Sequence, residues 1–118
     1  MKIVVHTSDI QQIAEIISTK IILNTVDDAL DLIGNVCYQG FNKIILHENN
    51  INPAFFDLKT GFAGEVLQKF SNYRIQLAIV GKFDEYKSKS INDFMYESNK
   101  TGQISFVDSF NNAINKLG

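Results

Sequence analysis

Two kinds of apolar run alternate along the chain. Residues 2–6 (KIVVH) form a short β-branched stretch that reads as a strand. After a polar turn at residues 7–12, residues 13–18 (IAEIIS) read as its antiparallel hairpin partner. Lys43–His47 (KIILH) and residues 74–81 (RIQLAIVG) are apolar without alternation, the pattern of central parallel strands covered on both faces. Ile104–Val107 (ISFV) reads as a short last strand.

Between the strands the apolar positions recur at helical spacing. A first helix is expected from Thr25 to about Gln39, with Val26, Ala29, Leu30, Ile33 and Cys37 on one stripe. Asn24 or Thr25 can cap it, the early Asp27, Asp28 and Asp31 suit the helix dipole, and Gly40 is a good stop. A second runs from about Gly61 to Ser71, with Ala63, Val66, Leu67 and Phe70 inward. A third starts near Ser90, where Asp93 completes a pair resembling a capping box, and Ile91, Phe94 and Met95 give its stripe. A fourth, from Asp108 to Leu117, turns Phe110, Ala113, Ile114 and Leu117 inward.

The order β-β-α-β-α-β-α-β-α specifies an α/β fold. Strands alternating with helices pair in parallel through right-handed crossovers. The expectation is a mixed five-stranded sheet, mostly parallel, with an antiparallel N-terminal edge strand and four main helices. Residues 44–46 and Gln76–Val80 should be central and buried. The 118 residues are read as a single domain. Self-association, as a homodimer, is expected through an exposed strand edge or an apolar patch.

Composition narrows the function classes. A net charge of −2 lacks the basic face that bulk nucleic-acid binding needs. One cysteine permits no intrachain disulfide and no cysteine-based zinc quartet. The apolar runs are too short for a signal peptide or a membrane helix, no lipidation motif is seen, and a cytoplasmic location is expected.

Chemistry-bearing residues gather where the parallel strands should end. His47 and Glu48 close one strand, Gly81, Lys82 and Asp84 follow the next, and Asp57, Lys59, Thr60 and Gly61 lead into a helix. Ligand sites of open α/β sheets lie at this edge, although any such domain carries polar loops there. Adjacent residues on a strand point to opposite faces, so His47 and Glu48 do not chelate together. His6 is a conceivable second ligand on the edge hairpin, but two histidines are few for a metal centre. No metal and no cofactor are therefore expected. Cys37 on its apolar stripe reads as a buried, inert thiol. The GFAG tetrapeptide at residues 61–64 lacks the basic flanks of an RNA clamp and reads as close helix-to-sheet packing. Phe55, Phe56, Phe62 and Tyr73 are aromatics that either anchor a loop or line a pocket. Thr60, just before Gly61, is placed to cap the second helix.

Several stretches carry a family likeness. His47-Glu48, FFDLKTG at residues 55–61, GEVLQKFSNYR at 64–74 and Tyr96-Glu97-Ser98-Asn99 closely resemble the bacterial family known as domain of unknown function 4180, over a span from about Ile13 to the C-terminus. More distantly, the element order and the Asp57…Thr60-Gly61 corner resemble the STAS domain, the fold of anti-sigma-factor antagonists. That resemblance implies a STAS-like fold and a regulatory role. It aligns Asp57 with the family's loop aspartate and Thr60 with the hydroxyl that a partner kinase phosphorylates, Leu58-Lys59 lying between them.

The resulting expectation is a regulatory module that binds a protein partner, with phosphorylation control at Thr60. No nucleophile–base pair is recognisable, so the reading leans away from an enzyme. The alternative is a small-ligand-binding protein or small enzyme whose strand-end cleft uses His47, Glu48, Asp57, Lys59, Gly61, Lys82 and Asp84.

Overall fold

The computed structural model describes residues 1–8 and 11–117. Its sheet has five strands in the order β1-β2-β3-β4-β5: Lys2–Ser8, Gln11–Ile17, Lys43–His47, Gln76–Val80 and Ile104–Val107. β1 and β2 form an antiparallel pair in unbroken register, Lys2 opposite Ile17 and His6 opposite Ile13. Every later pairing is parallel. β2 begins two residues earlier than its apolar run, because Gln11 and Gln12 extend the ladder opposite Ser8 and Thr7. The turn expected at residues 7–12 lies in part outside the described residues.

The helices are α1 (Val26–Tyr38), α2 (Phe62–Asn72), α3 (Lys89–Thr101) and α4 (Phe110–Leu117). Successive parallel strands step in one direction across the sheet. Right-handed crossovers then place α1, α2 and α3 on one face. The main core forms there: Ala14, Ile16, Ile44, Leu46, Leu77 and Ile79 of the sheet against Ile33, Val36, Val66 and Phe70 of the helices. α4 covers the opposite face alone, packing Ala113 and Leu117 on Ile13, Ile45 and Ala78. Residues 44–46 and 77–79 are sealed from solvent, as two-sided burial of central strands requires.

The helices show where local pattern and packing diverge. In α1 the buried stripe is Ala29, Leu32, Ile33 and Val36, whereas Leu30 is half-buried and Cys37 exposed. At 100° per residue, Cys37 lies about 90° from the centre of that stripe. The expected buried thiol is thus corrected to a surface one. The α1 start is as expected: Thr25 and Asp28 form a reciprocal capping box. α3 lacks the expected pair. Its cap residue is Ser88, and Asp93 bonds Lys89 at 2.7 Å instead. α4 starts at Phe110, two residues later than expected, with the Ser109 hydroxyl accepting from the Asn112 N–H at 3.1 Å.

Candidate functional site

Polar groups concentrate at three places near the C-terminal ends of the parallel strands. The first is on the sheet face that α4 covers. Glu15 lies in the apolar run at residues 13–17 of β2, with its side chain only 11% exposed. Each of its carboxylate oxygens meets one imidazole. His6 Nε2 is 2.8 Å from Oε1, and His47 Nε2 is 2.7 Å from Oε2. Alternation in β1, β2 and β3 puts all three side chains on one face. The His6 ring also stands edge-on to Phe110 at 4.7 Å. A carboxylate accepts, so both rings present Nε2–H to Glu15. Charge-assisted bonds of this kind offset the cost of placing a carboxylate in an apolar sheet. The two imidazoles bind different oxygens, and among the described residues no group of three His, Cys, Asp or Glu is arranged to hold a metal ion.

The second place is built on Glu48, the first residue after β3. Its Oε1 accepts the Lys82 N–H at 3.0 Å, and its Oε2 accepts the Tyr86 hydroxyl at 2.6 Å. Burial, the bond to Glu48 and the negative charges of Glu48 and Glu85 all raise the Tyr86 pKa above that of a free phenol. Tyr86 stacks on Phe56 with ring centroids 5.0 Å apart. This carboxylate therefore ties the loop after β3 to the loop after β4. Asn50, 1% exposed, sets the turn: its side-chain amide donates to the Ser18 and Lys20 carbonyls at 2.9 Å and accepts from the His47 N–H at 3.3 Å. Fixed in this way, His47 and Glu48 serve different sites, as opposite strand faces require.

The third place is an open cleft of about 880 Å³ beyond the ends of β4 and β5. Phe83, Phe106 and Val107 give it apolar surface. Lys82, Asp84, Glu85, Asp108, Asn112, Asn115 and Lys116 give it polar groups of both charges.

The residues singled out in the sequence divide among these places. His47 joins Glu15, while Glu48 and the Lys82 backbone meet at the same end of the sheet. Lys82 and Asp84 line the large cleft. Glu48 lines a separate hollow of about 340 Å³ with Ile21, Pro53, Phe56 and Tyr86. Asp57, Lys59, Thr60 and Gly61 line neither hollow and form the approach to α2. There the Asp57 carboxylate accepts the Lys59 N–H at 3.2 Å, and Gly61 holds φ of 75°. The Thr60 hydroxyl accepts the Phe62 N–H at 3.2 Å and is within donating distance of the Ala54 and Asp57 carbonyls, at 2.8 and 2.9 Å. Gly61 occupies the cap position itself, so Thr60 caps from one residue further out.

Glu15 and Tyr86 do not stand out among the strand-end residues that the sequence pattern singles out. Glu15 had a signal: it is the one charge inside the IAEII run, and hairpin register sets it diagonally across from His6. Tyr86 had none, since its partner lies 38 residues away.

The model of the family described as Domain of unknown function (DUF4180) matches residues 8–117. The chain belongs to the DUF4180 family. No curated protein and no solved structure matches it. The family description carries no activity, so the function of this DUF4180 chain is argued from its geometry. Among the described residues, no helix is long and apolar enough to cross a membrane.

Proposed function

We propose that this DUF4180 chain is a regulatory protein-interaction module that receives a partner segment in the cleft beyond β4 and β5. The observation that carries this reading is how the reactive groups are used. Glu48, Glu15, both histidines and the Thr60 hydroxyl are each bonded within the fold, whereas the cleft is broad, open and lined by an aromatic floor with charges of both signs. Such a lining suits a peptide with an apolar anchor and polar flanks. The distant STAS likeness supports the same role and adds Thr60 as the control point. Phosphoryl transfer from a nucleoside triphosphate by a partner kinase would replace the hydroxyl proton. The resulting ester oxygen cannot donate to Ala54 or Asp57, and the Asp57 carboxylate would repel the new charge.

The test places a photo-crosslinking residue at Asn115 in the native host and identifies the products by mass spectrometry. The reading expects a protein adduct that the cleft variant Lys82→Glu/Asp84→Lys loses and Tyr38→Ala keeps. An adduct indifferent to the cleft variant would sink it.

The cleft volume also falls in the range of small-molecule sites, roughly 300–1,000 Å³. This favours, as the second reading, a small-ligand-binding protein or enzyme using Lys82 and Asp84. A metabolite that raises the melting temperature of the wild type but not of the cleft variant would decide for it.

A further inference from the structure

The two edges of the sheet are treated differently. In β5 the backbone groups of Ile104 and Phe106 face away from β4, because the parallel ladder uses the carbonyls of the alternate residues, Gln103 and Val107 among them. Side chains of α3 occupy that outer edge. The Asn99 amide accepts the Phe106 N–H at 2.6 Å and donates to the Phe106 carbonyl at 3.2 Å, copying a neighbouring strand. The Ser98 hydroxyl donates to the Ile104 carbonyl. β5 is closed to further pairing.

β1 has no such cover. It ends the sheet on the other side, and among the described residues nothing bonds to its outer backbone groups. It is seven residues long against four for β5. Its register with β2 is unbroken, so no bulge turns the edge away, and it contains no proline. Natural sheets protect free edges with lysines, prolines, bulges or covering elements, and β1 has only Lys2 at its beginning. Val5, at its midpoint, is 48% exposed.

We propose that β1 pairs antiparallel with β1 of a second copy of this chain, making a continuous ten-stranded sheet with its two-fold axis at Val5. Self-complementarity along the strand argues for a second copy as the occupant. Full overlap of Lys2–Ser8 with itself sets Val5 opposite Val5, Val4 opposite His6, Ile3 opposite Thr7 and Lys2 opposite Ser8. The β-branched side chains meet near the axis, and the single lysine of the strand does not fall opposite its own copy. A slip that brings the N-terminal ends together would set the two lysines against each other. The same register brings both His6–Glu15–His47 clusters onto one face beside the axis.

Sedimentation equilibrium over a wide concentration range tests this. The wild type should approach twice the 13.3 kDa chain mass. Val5→Glu, which sets two carboxylates on the axis, should be monomeric with an unchanged far-ultraviolet spectrum, while Tyr73→Glu, exposed elsewhere, should remain dimeric. Should Val5→Glu fail to fold, oxidation of Val5→Cys in a Cys37→Ser background decides, and it should cross-link faster than Tyr38→Cys in the same background. A wild type monomeric at every concentration, a dimer unaffected by Val5→Glu, or cross-linking at position 5 no faster than at 38 would each overturn the proposal.

Discussion

Replacing Gly81 by alanine probes the link between the loops after β3 and β4. A Cβ at Gly81 would lie 2.5 Å from Glu48 Oε1, 2.7 Å from Glu48 Cβ and 2.9 Å from Phe83 Cζ. Real Cβ atoms do not approach other heavy atoms so closely, and Glu48 Cβ is not the free end of a flexible chain. The φ of Gly81 lies outside the left-handed region, so the cost is steric and not conformational. Overpacking of this kind costs about 1–3 kcal/mol. Displacing Glu48 also loses its bonds to the Lys82 N–H and the Tyr86 hydroxyl, each carrying the strength of a charged acceptor but partly exposed, which adds about 1–2 kcal/mol. The expected loss is about 2–5 kcal/mol, a large share of the roughly 5–15 kcal/mol typical of a domain. The chain has no tryptophan, so urea unfolding is followed by circular dichroism, and a lower midpoint at constant slope reports the loss. Gly64 is the control. It lies inside α2 with nothing within 4 Å of its hypothetical Cβ, and Gly64→Ala should stabilise by about 0.5–1 kcal/mol through helix propensity. In a Glu48→Ala background, Gly81→Ala should cost less, because one of the three clashing atoms is gone. A Gly81→Ala protein within about 0.5 kcal/mol of wild type, the size of an ordinary surface change, would refute the argument.

Glu15→Gln leaves one oxygen and one amino group facing two Nε2–H donors. It should cost about 1–3 kcal/mol, and nitrogen NMR should show both rings as the Nε2–H tautomer in the wild type and at least one switched in the variant. Two unchanged rings would disprove the bridge. Thr60→Ala should lose about 1 kcal/mol with the cap, and Thr60→Ser should recover most of it in the same urea assay. Tyr86 makes stability fall in alkali. Its folded pKa is raised above the ordinary value of about 10, so its contribution is complete below pH 10 and is lost as the unfolded state releases the proton first. Unfolding free energies across that window should decline less steeply in Tyr86→Phe than in the wild type.

What the sequence determined by itself was the element order and most of the core. Unbroken apolar runs at Lys43–His47 and Gln76–Val80 can be buried only by cover on both faces, and strands alternating with helices can only pair in parallel through crossovers of one hand. These signals are local, carried by periods of two and 3.6 residues. The rotation of α1 was less legible: Leu30 and Cys37 are apolar enough to belong to the stripe, and only packing on the sheet chose Leu32 and Val36 in their place. The sites were decided by the tertiary structure, because their partners are distant in the chain. Glu15 meets His47 across 32 residues and Glu48 meets Tyr86 across 38. Asn99 closes the β5 edge because the chain from α3 folds back onto β5, whereas among the described residues no element packs along the outer edge of β1. Periodicity records which face a residue turns inward, whereas the identity of the group it meets there depends on how the sheet orders its strands.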